Sequence, residues 1–226
     1  MDVRNKVSIT RSGSFFILIA SLSTAQATVI SDLLITEVMA NPSAVYDNIG
    51  EWFELFNPTR DDFNLNQVII TDDGFKSHQI NPTGSLPLLI KSKGYFVLAL
   101  SSTKTLNGGF KADYVYDYKD FKLANNGDEI ILIDSLNNEL RLDYSSSFVA
   151  SGRSRELVSM PMSQVNYQLT ASTETYGDGD IGTPGAPGSV QFAPISVAEP
   201  SSIVLFILAC MLYFAIQFKI QVKRKT

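Results

Sequence analysis

The chain has 226 residues, 45% of them hydrophobic and 18% charged, with a formal net charge of −5. This composition excludes a disordered polyelectrolyte, and the length suits one domain with a sizeable core and short flanks. Residues 28–197 hold 11 Lys and Arg against 21 Asp and Glu, a net charge of −10, which opposes direct nucleic-acid binding because that affinity rests on cations neutralising phosphates.

Arg4, Lys6 and Arg11 form a positive n-region, Phe15 to Leu22 an apolar h-region, and Ala25-Gln26-Ala27 a site of small residues. Together they predict a cleavable secretory signal over 1–27, cut after Ala27, with the mature chain beginning at Thr28. An uncleaved N-terminal anchor is the alternative. The single cysteine, Cys210, lies far downstream in an apolar run, so the exported part has no disulfide and depends on burial and hydrogen bonding.

From Thr28 onward, short β-prone runs alternate with turn residues and no stretch sustains a helical period. Strands are predicted at Leu33–Val38, Trp52–Phe56, Val68–Thr71, Tyr95–Leu100, Glu129–Ile133 and Leu140–Tyr144. Asp72-Asp73-Gly74 and Asn125-Asn126-Gly127-Asp128 read as turns, and Asp134 to Glu139 as the link of a hairpin. About seven strands at this spacing predict an all-β, immunoglobulin-like sandwich. In Trp52-Phe53-Glu54-Leu55, alternation sends Phe53 and Leu55 into the core and Trp52 to a sheet edge or beneath a loop with its indole N–H bonded.

The region from Tyr176 to Pro194 is rich in Gly, Pro and Asp. Gly182-Thr183-Pro184-Gly185-Ala186-Pro187 suits a closing segment that crosses a sheet edge without ladder bonding, and 189–197 suits a flexible linker. Ala198-Glu199-Pro200-Ser201-Ser202 then precedes an apolar run, residues 203–218, and a tail with Lys219, Lys223, Arg224 and Lys225. About 20 apolar residues span a bilayer, so this short run is expected to insert as a transmembrane helix with thinning or snorkelling. The basic end stays cytoplasmic and leaves the upstream domain outside.

Residues 198–226 resemble the PEP-CTERM sorting signal of Gram-negative bacteria, although Ala198 stands where that family usually has Pro. The resemblance implies recognition and cutting by an exosortase at Ala198, Glu199 and Pro200. It implies export across the inner membrane of a Gram-negative bacterium, membrane anchoring, then a cell-surface or extracellular location linked to exopolysaccharide and biofilm. A plain membrane anchor is the alternative.

A second resemblance covers residues 31–188. Leu34-Ile35-Thr36-Glu37-Val38-Met39-Ala40-Asn41-Pro42, Gly50-Glu51-Trp52-Phe53-Glu54-Leu55-Phe56-Asn57, Asp62-Phe63-Asn64-Leu65, Phe121 to Asp128 and Gly182 to Pro187 fall in the order of the lamin tail domain. The third strand has Val68-Ile69-Ile70 where a Trp is common, and Gly188 replaces a frequent Asn. The resemblance implies an immunoglobulin-like sandwich over 28–188 acting as a binding or structural module.

Chemistry leaves few traces. His78 is the sole histidine, lies near the start of a predicted strand and is expected on a surface or loop; no Gly-x-Ser-x-Gly elbow appears. Asp178-Gly179-Asp180 is the candidate calcium site, because calcium takes carboxylate and carbonyl oxygens, but the further EF-hand ligands are missing. Asp113, Asp117 and Asp120, interleaved with Tyr114, Tyr116 and Tyr118, form a candidate partner surface or a solvated face. Glu37, Glu51 and Glu54 are the carboxylates a glycosidase reading would have to bring together. The expected function is therefore a non-enzymatic, surface-delivered module without a cofactor, processed by signal peptidase and exosortase, with a protein or glycan matrix partner. A calcium-dependent adhesion module and an enzyme acting on extracellular polymer are the alternatives.

Overall fold

A computed structural model describes residues 28–81, 84, 86–157, 174–188, 210–214, 216 and 220. The expected signal 1–27, linker 189–197 and motif Ala198-Glu199-Pro200 lie outside these residues, as does most of the apolar run 203–218. Among the described residues no helix is long and apolar enough to cross a membrane.

The strands in chain order are β1 (Leu34–Met39), β2 (Trp52–Phe56), β3 (Phe63–Asn64), β4 (Ile69–Thr71), β5 (Ser77–Gln79), β6 (Leu89–Ile90), β7 (Tyr95–Ala99), β8 (Tyr114–Val115), β9 (Gly127–Ile133), β10 (Glu139–Ser145), β11 (Arg155–Glu156), β12 (Thr175–Tyr176) and β13 (Asp180–Ile181). A five-stranded sheet has the order β11-β1-β2-β7-β8, and a four-stranded sheet the order β10-β9-β4-β5. The pairs β12-β13 and β3-β6 stand as two-stranded ribbons. All pairings are antiparallel except β7 with β8. A single turn of helix, Asp47–Gly50, leads into β2.

One apolar core joins the two large sheets. Ile35, Phe53, Leu55, Phe96 and Leu98 come from the five-stranded sheet, and Ile70, Ile130, Leu132, Leu142 and Tyr144 from the four-stranded one. This mostly-β arrangement fits an immunoglobulin-like sandwich, and Phe53 and Leu55 point inward as alternation requires. The β9–β10 hairpin turns where expected, because Asn137 adopts φ 62° and the Asp134 carboxylate accepts the amides of Leu136 and Asn138. At Asp72-Asp73-Gly74 the turn stands in place but for another reason. Gly74 is not among the residues with positive φ; its amide donates to the Asp72 carboxylate at 2.7 Å, an Asx-type closure.

The register of β1 on β2 breaks once. Ile35 faces Leu55, but Glu37 faces Glu54, so Thr36 is an extra residue on β1. A bulge of one residue reverses which side the following residues face. Ile35 and Val38 therefore both enter the core, while Glu37 and Met39 turn to the outer face. There Met39, Trp52, Val97, Ala99 and Phe110 form a second apolar cluster. Trp52, Phe110 and Tyr176 meet pairwise with ring centroids 5.7 to 5.9 Å apart, and the Trp52 indole N–H donates to the Tyr176 hydroxyl at 3.0 Å.

Packing at Phe53 predicts a large cost of truncation. It is wholly buried and meets Tyr116 and Phe121 with centroids 5.9 and 6.2 Å away. Phe53→Ala is expected to lower the unfolding free energy by about 3–5 kcal/mol, whereas Phe75→Ala, at a fully exposed position, should stay within about 0.5 kcal/mol. Urea titration of both variants checks this, and equal losses would overturn it.

Candidate functional site

The bulge gathers carboxylates on the outer face. Glu37 lies opposite Glu54 on β2 and opposite Glu156 on β11, and the three side chains, in the order Glu156, Glu37, Glu54, are 2%, 1% and 1% exposed. What covers them is the segment after β13. The Thr183 amide and hydroxyl donate to the two oxygens of Glu37 at 2.9 and 2.7 Å, and the Gly185 amide donates to Glu54 at 2.7 Å. Ser154 donates a further hydroxyl bond to Glu37, and the hydroxyl of the bulged Thr36 donates to Glu54 at 2.6 Å. A Cβ on Gly182 would stand 2.8 Å from both Glu37 Oε1 and Ser154 Oγ, and 3.2 Å from the Trp52 ring, so only glycine lets the strap lie this close. The strap crosses the sheet without ladder bonds and is held by carboxylates instead.

Burial dominates the electrostatics. Removing water pushes the Glu37 carboxyl up to about 7, against its hydroxyl and amide donors, with Glu156 adding like-charge repulsion. Glu54 is pushed up to about 8 by burial and by Glu37. Glu51 lies on the other side of β2's start, where its carboxylate accepts the Leu123 amide at 2.9 Å, and burial lifts it to about 8 as well. The Tyr116 and Tyr144 hydroxyls, buried and under the influence of Glu51, are raised too. Glu37 and Glu54 therefore converge while Glu51 stands apart, and both of the converging groups are enclosed.

The other expected sites are placed differently. Asp180 is buried, and its carboxylate accepts the Ser43 amide at 3.0 and 3.2 Å and the Ala44 amide at 3.1 Å, whereas Asp178 is exposed. The pair is not brought together as cation ligands; Asp180 clamps the β1–β2 loop to the β12–β13 ribbon. Among the described residues no group of three His, Cys, Asp or Glu side chains is arranged to hold a metal.

His78 is not on a loop. It sits in β5, 15% exposed at its side chain, with Nε2 2.9 Å from the Tyr114 hydroxyl and Nδ1 3.3 Å from Asp120. The ring thus joins the edge strand of one sheet to the edge strand of the other. The Asp–Tyr stretch is likewise only partly a surface: Tyr116 is 2% exposed in the core, Tyr114 is half-buried, and Asp113 accepts the Val97 amide at 3.0 Å. Tyr118 alone of the three tyrosines stays exposed. A polar groove of about 810 Å³, bordered by Thr28, Asp61, Asp62, Asn64, Gln67 and Ser135, opens near the β9–β10 turn, and Asp62 in its lining pairs with Lys91 at 2.7 Å.

A comparison with protein families matches the family described as Lamin Tail Domain over residues 26–147, more than half of the chain, and the chain belongs to that family. No curated protein matches it.

The raised carboxyls give stability a definite pH sign. The folded state keeps protons on Glu37, Glu51 and Glu54 that the unfolded chain releases above the ordinary value of 4.5. Their contribution is full below that value and is lost as pH rises through 7 to 8, with a limiting slope of about 1.4 kcal/mol per pH unit for each carboxyl. Denaturant titrations should show stability falling by at least about 2 kcal/mol from about pH 5 to about pH 8. Glu51→Gln should flatten part of that fall, and a profile that rises over this range would refute the assignment.

Proposed function

We propose that this lamin tail domain chain is a non-enzymatic binding or structural module, exported and delivered to the cell surface of a Gram-negative bacterium. The non-enzymatic reading rests on one observation. The acidic groups that approach each other, Glu37 and Glu54, face a strap of the chain's own backbone and hydroxyl donors at 2.7 to 2.9 Å. A general acid must reach the bond it protonates, and here that direction is filled by the fold itself.

Delivery is supported by the order of the sequence. A basic and apolar leader ending at Ala27, an acidic domain, and a tail of Ala198-Glu199-Pro200, apolar run and basic end follow one another. On this reading signal peptidase and an exosortase are the processing partners, and residues 203–218 hold the chain in the membrane until sorting. The matrix partner is a protein or glycan. The acidic balance of residues 28–197 favours neutral or cationic groups over phosphate-rich ones. No cofactor is required.

Intact mass and fractionation of the protein expressed with and without an exosortase test the delivery. The leader before Thr28 should be lost in both hosts, and the tail beyond Pro200 only where exosortase is present. Glu199→Ala and Pro200→Ala should each leave the full tail and a membrane-retained form. Retention of the tail in both hosts would reduce the chain to an anchored module and remove the link to biofilm sorting.

A further inference from the structure

The strap Gly182–Pro187 is attached to the five-stranded sheet in an unusual way. Its own local bonds are few: the Gly182 amide to the Glu174 carbonyl at 2.9 Å and the Ala186 amide to the Thr183 carbonyl at 3.0 Å. Its hold on β1 and β2 runs through two carboxyl groups, Glu37 and Glu54. These belong to a row of three on neighbouring strands, completed by Glu156.

Each of the two anchoring carboxyls has a hydroxyl partner that can reverse its bond. The Thr36 hydroxyl lies 2.6 Å from Glu54 Oε1 and 3.4 Å from the Glu54 backbone carbonyl. The Ser154 hydroxyl touches Glu37 and lies 3.1 Å from the Ile181 carbonyl. A protonated Glu54 donates to Thr36 Oγ1, whose own proton turns to the carbonyl; a protonated Glu37 does the same through Ser154. Glu37 and Glu54 thus accept protons without breaking their network: the Gly185 amide keeps the second oxygen of Glu54, and on Glu37 the Thr183 amide shares Oε1 with Ser154 while the Thr183 hydroxyl keeps Oε2.

A single ionised member strengthens the amide bonds, since a carboxylate is the better acceptor. A second on the adjacent strand adds repulsion that water does not screen, on top of that from Glu156 beside Glu37. We propose that the strap is a proton-held latch, closed over the outer face while Glu37 and Glu54 retain protons and lifted when both are ionised.

The charged and titratable surroundings set the direction. From β7 comes Tyr95, whose hydroxyl is raised by burial and then by Glu54, and from the β12–β13 ribbon Tyr176 and Asp180, with Tyr176 raised by burial and by Asp180 and Glu37. Asp180 is committed to the Ser43 and Ala44 amides. On β11 the Arg155 guanidinium donates to the Phe148 carbonyl, and Arg153 flanks it. Among the groups that weigh most on Glu37 and Glu54 there is no cation: burial and a neighbouring glutamate push both up, to about 7 and about 8. Opening therefore belongs to mildly alkaline conditions. It uncovers Trp52, which Gly182 overlies, and Val97, which lies beside Gly185.

Hydrogen exchange of the full chain, compared at about pH 6 and about pH 9 after correction for intrinsic rates, tests the latch. Protection of the peptide covering 180–188 should fall about tenfold or more beyond the fall in β9, which follows global stability alone. In Glu37→Gln and Glu54→Gln the loss should shrink or vanish. Should either variant fail to fold, acrylamide quenching of wild-type Trp52, the sole tryptophan, reads the same event and should rise over this range. Unchanged strap protection with unchanged quenching overturns the proposal, and so does a loss in β9 equal to that of the strap, which would mean that the strap opens only by global unfolding.

Discussion

The extra residue at Thr36 is the constraint on which the outer half of the molecule depends. Strand alternation alone would put Glu37 on the same side as Ile35, inside the apolar core, where an unpaired carboxylate costs several kcal/mol or more. The bulge turns Glu37 outward to face Glu54 and returns Val38 to the core against Phe53. The same residue then supplies the hydroxyl that bonds Glu54 at 2.6 Å. One local irregularity thus preserves the core and creates the polar row to which the closing strap is fastened.

That row explains why the fold continues past its two main sheets. The family match ends at residue 147, yet the carboxyls Glu37 and Glu54 within it find their donors in Ser154, Thr183 and Gly185 beyond it. Trp52 behaves alike: its indole N–H is satisfied by Tyr176, 124 positions away, and its ring packs on Phe110 and Tyr176. Left uncovered, the outer face of β2 would expose an indole and a desolvated carboxyl side by side. The β12–β13 ribbon, pinned by Asp180 to the Ser43 and Ala44 amides, and the strap after it cover both.

Much of this was legible in the residues, and the exceptions have physical causes. Six runs announced their strands because β-branched, aromatic and other apolar residues cluster there between turn residues, and Phe53 and Leu55 were placed inward correctly. Strands of two or three residues, such as β5, β8 and β11, are too short to show a period. The bulge was missed although it left a trace: Thr36 and Glu37 stand as two successive polar residues between Ile35 and Val38, which breaks the period of two. The Gly182–Pro187 composition announced a segment without ladder bonds, but its partner Glu37 lies 146 positions upstream of Thr183. His78 was misjudged for a related reason: its partners Tyr114 and Asp120 come from the far side of the sandwich edge. A glutamate beside a glutamate across two strands leaves no local signal, although the three glutamates set in apolar runs were the one hint available.

Desolvated carboxyls with raised values usually invite a catalytic reading, since such tuning is what general acids need. The arrangement here argues the other way. An apolar row at these positions would pack without any desolvation cost and could well be more stable. It would, however, offer the strap no unique seat, because contact between apolar surfaces tolerates sliding by a residue. Two carboxyls that accept the Thr183 and Gly185 amides allow only one register, and Gly182 fits only where it meets Glu37, Ser154 and Trp52. The polar row trades part of the stability of the sheet for a single position of the segment that carries the chain onward from the domain.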